Sequence, residues 1–369
     1  MNYALLGHDR DNAVQEMLIS LLPDEPHDRQ ETLTGDGCLS RAGEEGGQIC
    51  AECTVTLGAR RETARVSAPI PGGGDGEEHK RVLTYCVKSA VYRALLPLLD
   101  HKPAWGSLTG VKPAKPVRLA IREGMDRQAL DRWLDEHYDV TPRRRGLCIR
   151  AAEYALRAED SLLPGEVQLY IGIPFCPAKC SYCSFVSNDT ARWGHMIEPY
   201  VQALLQEVEA AGTMLRRGGI PLGSIYIGGG TPTTLNEDQL ERLLTAVDAH
   251  FDRSACREYT VEAGRPETTT AEKLRIMARH GVSRISINPQ TMNDRVLQGV
   301  GRRHTAAGIV ECYRTARECG DFIVNMDLIA GLPGDDDGGL LDSVRRVADL
   351  EPENITIHCL ARKRGARLY

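Results

Sequence analysis

Val167-Gln-Leu-Tyr170-Ile-Gly-Ile-Pro174-Phe175-Cys176-Pro177-Ala-Lys-Cys180-Ser-Tyr182-Cys183 is an apolar run that breaks at a proline into three closely spaced cysteines. Its first part, Val167–Ile173, is short and rich in β-formers, and reads as a strand. The thiols follow at C-x3-C-x2-C spacing. Iron–sulfur clusters are held by thiolates at such spacings, because one loop wraps a compact cluster and brings each sulfur to a different iron. Three local thiolates serve three irons. The fourth iron stays open to a small molecule unless another ligand arrives. Pro174 and Pro177 stiffen the approach to the loop. Zinc and a thiol redox pair are the competing readings. Zinc sites usually join two C-x2-4-C pairs, and no clean second pair exists. Cys50 and Cys53 have that spacing on a strand-like run, where residues three apart point to opposite faces. They read as metal-free structural thiols, with Cys38, Cys86, Cys148, Cys256, Cys312, Cys319 and Cys359.

Downstream, strand, loop and helix repeat. Strands are expected at Val167–Ile173, Ser224–Ile227, Tyr259–Glu262, Arg284–Asn288, Phe322–Ile329 and Asn354–Cys359. They show little alternation, as strands buried on both faces do. Helices are expected at Ile197–Arg217, Glu237–His250, Ala271–His280, Ala306–Glu318 and Leu340–Leu350. Strands separated by helices imply a parallel sheet with crossovers, here a curved sheet or partial barrel. In such folds chemistry gathers at the C-terminal ends of the strands. Reactive-looking residues do fall there. The cysteines follow the first strand and Gly228-Gly229-Gly230-Thr231-Pro232 the second. The third ends in Glu262, the fourth leads to Gln290, and the fifth carries Asp327.

Upstream, residues 1–150 have an α+β texture and form a smaller N-terminal domain, leaving 151–369 for the α/β domain. Met1–Leu6 suits a first strand, and Ile49–Leu57 with Glu62–Ala68 a hairpin. Gly35–Gly47 and Gly72–Gly76 read as exposed, mobile loops. Glu78–Leu99 has helical apolar spacing. Trp105–Lys115 reads as a loop, followed by two or three short helices including Thr141–Leu156.

Composition narrows the class. Of 369 residues, 42% are apolar, enough for a packed core, and the net charge of −6 argues against a nucleic-acid partner. Arg143–Arg145 reads as a solvated helix end. The most apolar long stretch, Tyr85–Leu99, carries Lys88 and Arg93 and is too short to span a membrane. No signal-peptide pattern follows Met1. A cytoplasmic monomer is expected, with its twelve cysteines as thiols or metal ligands.

C-x3-C-x2-C after the first strand, with an aromatic before the last cysteine, resembles the signature of radical S-adenosylmethionine (SAM) enzymes. "YIGIPFC", "YIGGGTPTTL", "ISINPQTM", "GRRHT" and "NMDLIAGLPG" closely resemble the oxygen-independent coproporphyrinogen III dehydrogenase family. "WGSLTGVKP" and the long N-terminal extension look most like its HemZ-type branch. The resemblance implies a radical SAM partial (β/α)6 barrel with two cofactors, a [4Fe–4S] cluster and SAM. It implies Cys176, Cys180 and Cys183 as cluster ligands. It places Tyr170, Tyr182, Gly229, Gly230, Thr231, Glu262, Gln290, Arg302 and Asp327 against SAM, with Arg302 able to pair a carboxylate in bidentate fashion. The glycines would let backbone approach the ligand closely. Reduction of the cluster would cleave SAM to a 5′-deoxyadenosyl radical that takes hydrogen from a tetrapyrrole substrate. The implied reaction converts coproporphyrinogen III to protoporphyrinogen IX and needs an electron donor and an electron acceptor. Another branch of the family binds haem and delivers it to acceptor proteins, and a radical SAM reaction on a different substrate is a third reading. Arg265, Arg303 and His304 are expected to meet substrate propionates, and His358 to lie at the rim or in the core. Two departures stand out. Ser184 and Phe185 follow Cys183 where some relatives have C-x-C. Relatives also continue past the sixth strand into a closing region, which is expected to be missing here.

Overall fold

The computed structural model describes residues 1–72, 76–110, 112–361 and 363–368. The chain divides into two compact units, 1–161 and 162–369. The division falls after Ser161 and not at residue 150. Helix Pro142–Asp160 runs through residue 150 and packs Cys148, Ile149 and Ala152 with Leu130 and Leu134 of helix Arg127–Tyr138.

In the N-terminal unit, strand Tyr3–Leu6 pairs in parallel with Gly37–Glu45, which continues antiparallel through Gln48–Leu57 to Arg60–Pro69. The expected hairpin is present. The expected loop Gly35–Gly47 is instead mostly an inner strand. Cys38 and Ser40 point inward at alternate positions and are fully buried, while Gly37 and Gly43 lie within the strand and Gly46 and Gly47 make the turn. Gly46 and Gly47 both have positive φ, at 57° and 78°, which a tight two-residue hairpin turn requires. Helix Asp11–Leu21, which the sequence pattern did not announce, buries Val14, Met17 and Leu18 in the same core as helix Gly76–Leu95. Of the other expected loop, Gly73, Gly74 and Asp75 lie outside the described residues.

The C-terminal unit carries six strands: β1 Val167–Ile173, β2 Leu222–Gly229, β3 Glu258–Glu262, β4 Arg284–Ser286, β5 Ile323–Ala330 and β6 Asn354–Cys359. All pair in parallel and in sequential order, with β1 and β6 at the edges. The helices α1 Ile197–Gly218, α2 Glu237–His250, α3 Ala271–Arg279, α4 Ala306–Cys319 and α5 Asp337–Ala348 alternate with them. Crossovers that always step one strand the same way, with one handedness, put every helix on one face. The result is a partial (β/α)6 barrel.

Local chemistry fixes these helix starts. Asn236 and Gln239 form a capping box ahead of α2, and the hydroxyls of Thr270 and Thr305 accept from Lys273 N and Gly308 N ahead of α3 and α4. Outward residues such as Ile225, Ile227, Val261 and Ile285 pack with Leu240, Leu243, Leu274, Met277 and Ile309 of the helices. Inner strands are buried on both faces as expected, with consecutive buried residues at Tyr259–Val261 on β3 and Val324–Met326 on β5. The edge strand β1 departs from this, and its burial alternates. The inner face of the barrel is polar: Tyr226 Oη donates to Glu262 at 2.7 Å, Asn325 Nδ2 to Asp327 at 2.8 Å, and Thr356 Oγ1 to Asn325 at 2.9 Å. No helix among the described residues is long and apolar enough to cross a membrane.

Candidate active site

The cysteine loop leaves the top of β1. It is tied down where Phe175–Cys176 pairs with Asn188–Asp189 and where Ser181 N donates to Val300 O at 3.0 Å. Cys176 and Cys180 are buried, and Cys183 is half-buried. Burial pushes the Cys183 thiol above its ordinary range, against the opposing pull of a Phe185 backbone hydrogen bond. Thr231, buried at the end of β2, donates its hydroxyl to Cys176 Sγ at 3.5 Å.

The strand ends close the floor. Gly229 has φ of 107°, in the left-handed region that favours glycine. A Cβ on Gly230 would stand 2.6 Å from the Phe175 carbonyl oxygen. Gly229 and Gly230 therefore let β2 run against the cysteine loop backbone to backbone. Glu262 is largely buried. Burial pushes its carboxyl above the ordinary range, with the Asp327 charge adding to the effect and the Tyr226 hydrogen bond opposing it. Gln290 follows Pro289 with a φ of 69°, an uncommon conformation for a residue with a side chain. Its backbone is gripped by β5: Gln290 N donates to Asp327 O, and Ile329 N to Gln290 O, both at 2.8 Å.

Arg302 is buried and ties these parts together. Its Nε donates to Tyr182 Oη at 3.2 Å, and its Nη1 to Gly264 O at 3.1 Å and Asn288 O at 2.7 Å. Nη2 is the nitrogen not committed to these oxygens. Burial pushes the Tyr182 phenol up to about 12, although Arg302 pulls the other way.

These groups surround one cavity of about 470 Å³. It brings together the three cysteines, Tyr182, Gly229, Gly230, Thr231, Glu262, Gln290, Arg302 and Asp327. Tyr170 is the exception. It does not line the cavity, is 61% exposed, and stacks on Tyr226 at 5.9 Å between ring centroids. The two tyrosines are register partners on β1 and β2, and the one on β2 faces the cavity. Tyr226 and Asn288 line it without having been singled out. A period-two reading of β2 finds Tyr226, two residues before Gly228. His358 lies at the rim, 3.9 Å from Asp327. Of the residues expected to meet propionates, Arg265 lines the cavity but turns its guanidinium into the cysteine loop. Arg303 is exposed and His304 buried, and neither lines the cavity.

The residues fit a cluster with a bound polar ligand. Among the described residues, no three His, Cys, Asp or Glu side chains converge as a single metal ion needs. The three thiols nevertheless share one cavity, which suits a larger body in which each thiolate takes its own iron. Asn288 Oδ1 is buried there without a hydrogen-bond partner. A buried polar atom left unpaired is costly, and a polar ligand would satisfy it.

The sequence profile of the Radical SAM superfamily matches residues 170–347. The chain is 32% identical over 341 residues to the oxygen-independent coproporphyrinogen-III oxidase-like protein HemZ of Bacillus subtilis, over 88% of this chain and 68% of that protein. It is 36% identical to the heme chaperone HemW of B. subtilis over 52% of this chain and 49% of the relative. It is 30% identical to coproporphyrinogen III oxidase, anaerobic 1, of Cereibacter sphaeroides over 56% of this chain and 45% of the relative. The chain thus spans about two thirds of the HemZ protein and about half of the other two. Through the HemZ match, which runs across both of its units, and through the profile over its barrel, this chain belongs to the radical SAM superfamily, in the HemZ-type branch of oxygen-independent coproporphyrinogen III oxidase-like proteins, and its cofactors are a [4Fe–4S] cluster and SAM.

Proposed function

We propose that Cys176, Cys180 and Cys183 hold the cluster, that SAM occupies the adjoining cavity, and that the chain acts on coproporphyrinogen III. Two propionates would become the vinyls of protoporphyrinogen IX. Each propionate loses one hydrogen atom, carbon dioxide and one electron. The reaction therefore needs a low-potential electron donor for the cluster and a separate acceptor for the electron from the substrate. The observation that carries this reading is the match to the HemZ protein across 88% of the chain, with a coproporphyrinogen III oxidase among the relatives.

When bound, the cofactors supply one-electron, hydrogen-abstracting chemistry. The chain's residues position and shield it. Glu262 and Asp327 offer carboxylate oxygens to hydroxyl or ammonium donors. Arg302 Nη2 and Asn288 Oδ1 offer a cation and an acceptor on the same wall. Phe185, Ile329 and Leu360 line the cavity with apolar surface, which limits access of water.

One observation favours a second reading. Over about half of the chain, identity to the heme chaperone HemW of B. subtilis is 36%, above the 30% to the C. sphaeroides oxidase. That reading is a haem-binding protein that passes haem to acceptors. Anaerobic reconstitution, followed by SAM, reductant, an electron acceptor and coproporphyrinogen III, separates the two. Vinyl product is the expected result. Tight haem binding with no decarboxylation would replace the first reading by the second.

A further inference from the structure

We infer that Arg265 sets the reduction potential of the cluster by donating a charged hydrogen bond to one of its three thiolates, and that Glu267 moderates it. The inference rests on the cysteine triplet being the cluster site.

The three sulfurs are not equivalent. Cys176 meets the neutral hydroxyl of Thr231 at 3.5 Å, and Cys183 the backbone N–H of Phe185. Cys180 meets cations. Arg265 Nη2 lies 2.9 Å from Cys180 Sγ and also donates to Ala178 O at 2.9 Å, which holds the guanidinium on the loop. Arg302 also interacts with Cys180. Arg265 is 4% exposed, so its charge is weakly screened. A buried guanidinium is costly unless it is paired. The nearest carboxylate is Glu267, 3.5 Å from Nη1. The other oxygen of Glu267 lies 3.4 Å from His304 Nδ1. The row Cys180, Arg265, Glu267, His304 therefore leads from the sulfur through the buried guanidinium to Glu267, which is partly open to solvent, and on to a buried histidine.

A cluster held by three thiolates gains one negative charge when it takes up an electron. A cation and N–H donor at a ligating sulfur favours the more negative state, and so raises the potential. An anion behind that cation works against it. Removing Arg265 and removing the charge of Glu267 should therefore move the potential in opposite directions. A residue that merely supports the fold has no reason to give that pair of signs.

The test is an anaerobic, mediator-based redox titration of the reconstituted chain, with dithionite as the one-electron reductant and electron paramagnetic resonance of the reduced cluster as readout. Arg265→Met should shift the midpoint to more negative values than the wild type. Glu267→Gln should shift it to more positive values. Arg265→Lys, which keeps the charge and loses the planar geometry, should fall between wild type and Arg265→Met. If Arg265→Met carries too little cluster to titrate, the positive shift of Glu267→Gln still decides. A Glu267→Gln midpoint at or below the wild-type value overturns the inference, and so does an Arg265→Met midpoint at or above it. A wild-type chain that takes up no cluster through the triplet defeats the site reading instead.

Discussion

At the scale of single residues, the active face depends on groups held away from their ordinary state. Glu262 is the clearest. Burial raises its carboxyl pKa, yet accepting hydrogen bonds from a ligand's hydroxyl or ammonium groups requires the ionised form. SAM affinity, measured by isothermal titration, should fall as the pH is lowered, and the fall should begin above the usual carboxylate range of about 4.3. Glu262→Gln should bind SAM more weakly at neutral pH and lose this dependence. A wild-type affinity that stays flat down to that range would refute it. The unliganded fold responds with the opposite sign. A raised pKa contributes stability that is complete below the ordinary value and is lost as the pH rises through the folded one. Gly230 is a steric case. Its missing Cβ would lie 2.6 Å from one backbone oxygen and 2.9 Å from another, neither of which can swing away as a side chain can. Gly230→Ala should cost about 1–3 kcal/mol by chemical denaturation. It should also lower cluster content, because Phe175 and Ile173 would have to shift beside Cys176. A variant with native iron content would show that the loop yields more easily than the geometry says.

At the scale of elements, the outer helices are joined by charge as well as by apolar packing. His280, just past α3, has one ring nitrogen 2.6 Å from Asp248 and the other 2.9 Å from Glu241, both on α2. Burial alone would lower its pKa, but the two carboxylates outweigh that and hold it raised. A histidine raised in the fold stabilises fully below its ordinary value of about 6.5 and loses that contribution as the pH climbs through the folded value. Denaturation should therefore show the α2–α3 pairing weakening as the pH rises above the ordinary histidine value of about 6.5. His280→Gln should flatten that slope and cost about 1–2 kcal/mol at the acid end. Equal slopes in the two proteins would refute it. The elements also show what could be read in advance. The barrel strands and helices were legible because each pairs a β-branched run or an apolar stripe with its own cap or turn residue. Asn236 before α2 and Thr270 before α3 are examples. Strand Gly37–Glu45 was not legible, since its inward residues are Cys38 and Ser40 and its glycines imitate a loop. The cavity was legible where chemistry sits just past a strand end, as with Glu262, Gln290 and Asp327. It was not legible where a contact depends on how strands lie side by side. Tyr170 matches a family position, yet it stays exposed and stacked on its register partner Tyr226, and it is Tyr226 that lines the cavity. Arg265 faces a sulfur 85 residues away in sequence, and spacing alone does not bring the two together.

At the scale of the whole molecule, the division into 1–161 and 162–369 separates two sets of cores. One apolar cluster spans β1 to β5 and their helices, and every residue in it lies beyond Ser161. The N-terminal sheet with helix Gly76–Leu95, and the helices around Leu130 and Leu134, hold two others, all before Leu162. Every residue lining the 470 Å³ cavity belongs to the second unit. Cluster uptake and SAM binding should therefore not require the first. A chain beginning at Leu162 should fold cooperatively, take up the iron and sulfide of the full chain on anaerobic reconstitution, and bind SAM with unchanged affinity. The full chain should in turn unfold in more than one step, since units with separate cores need not melt together. Iron analysis, SAM titration and calorimetry on the two chains check this. Retained cluster and SAM binding with lost turnover would assign the first unit to substrate or electron-partner handling. Lost cluster and SAM binding in a shortened chain that still folds would mean that the barrel needs residues 1–161 to complete a site whose visible walls it already contains.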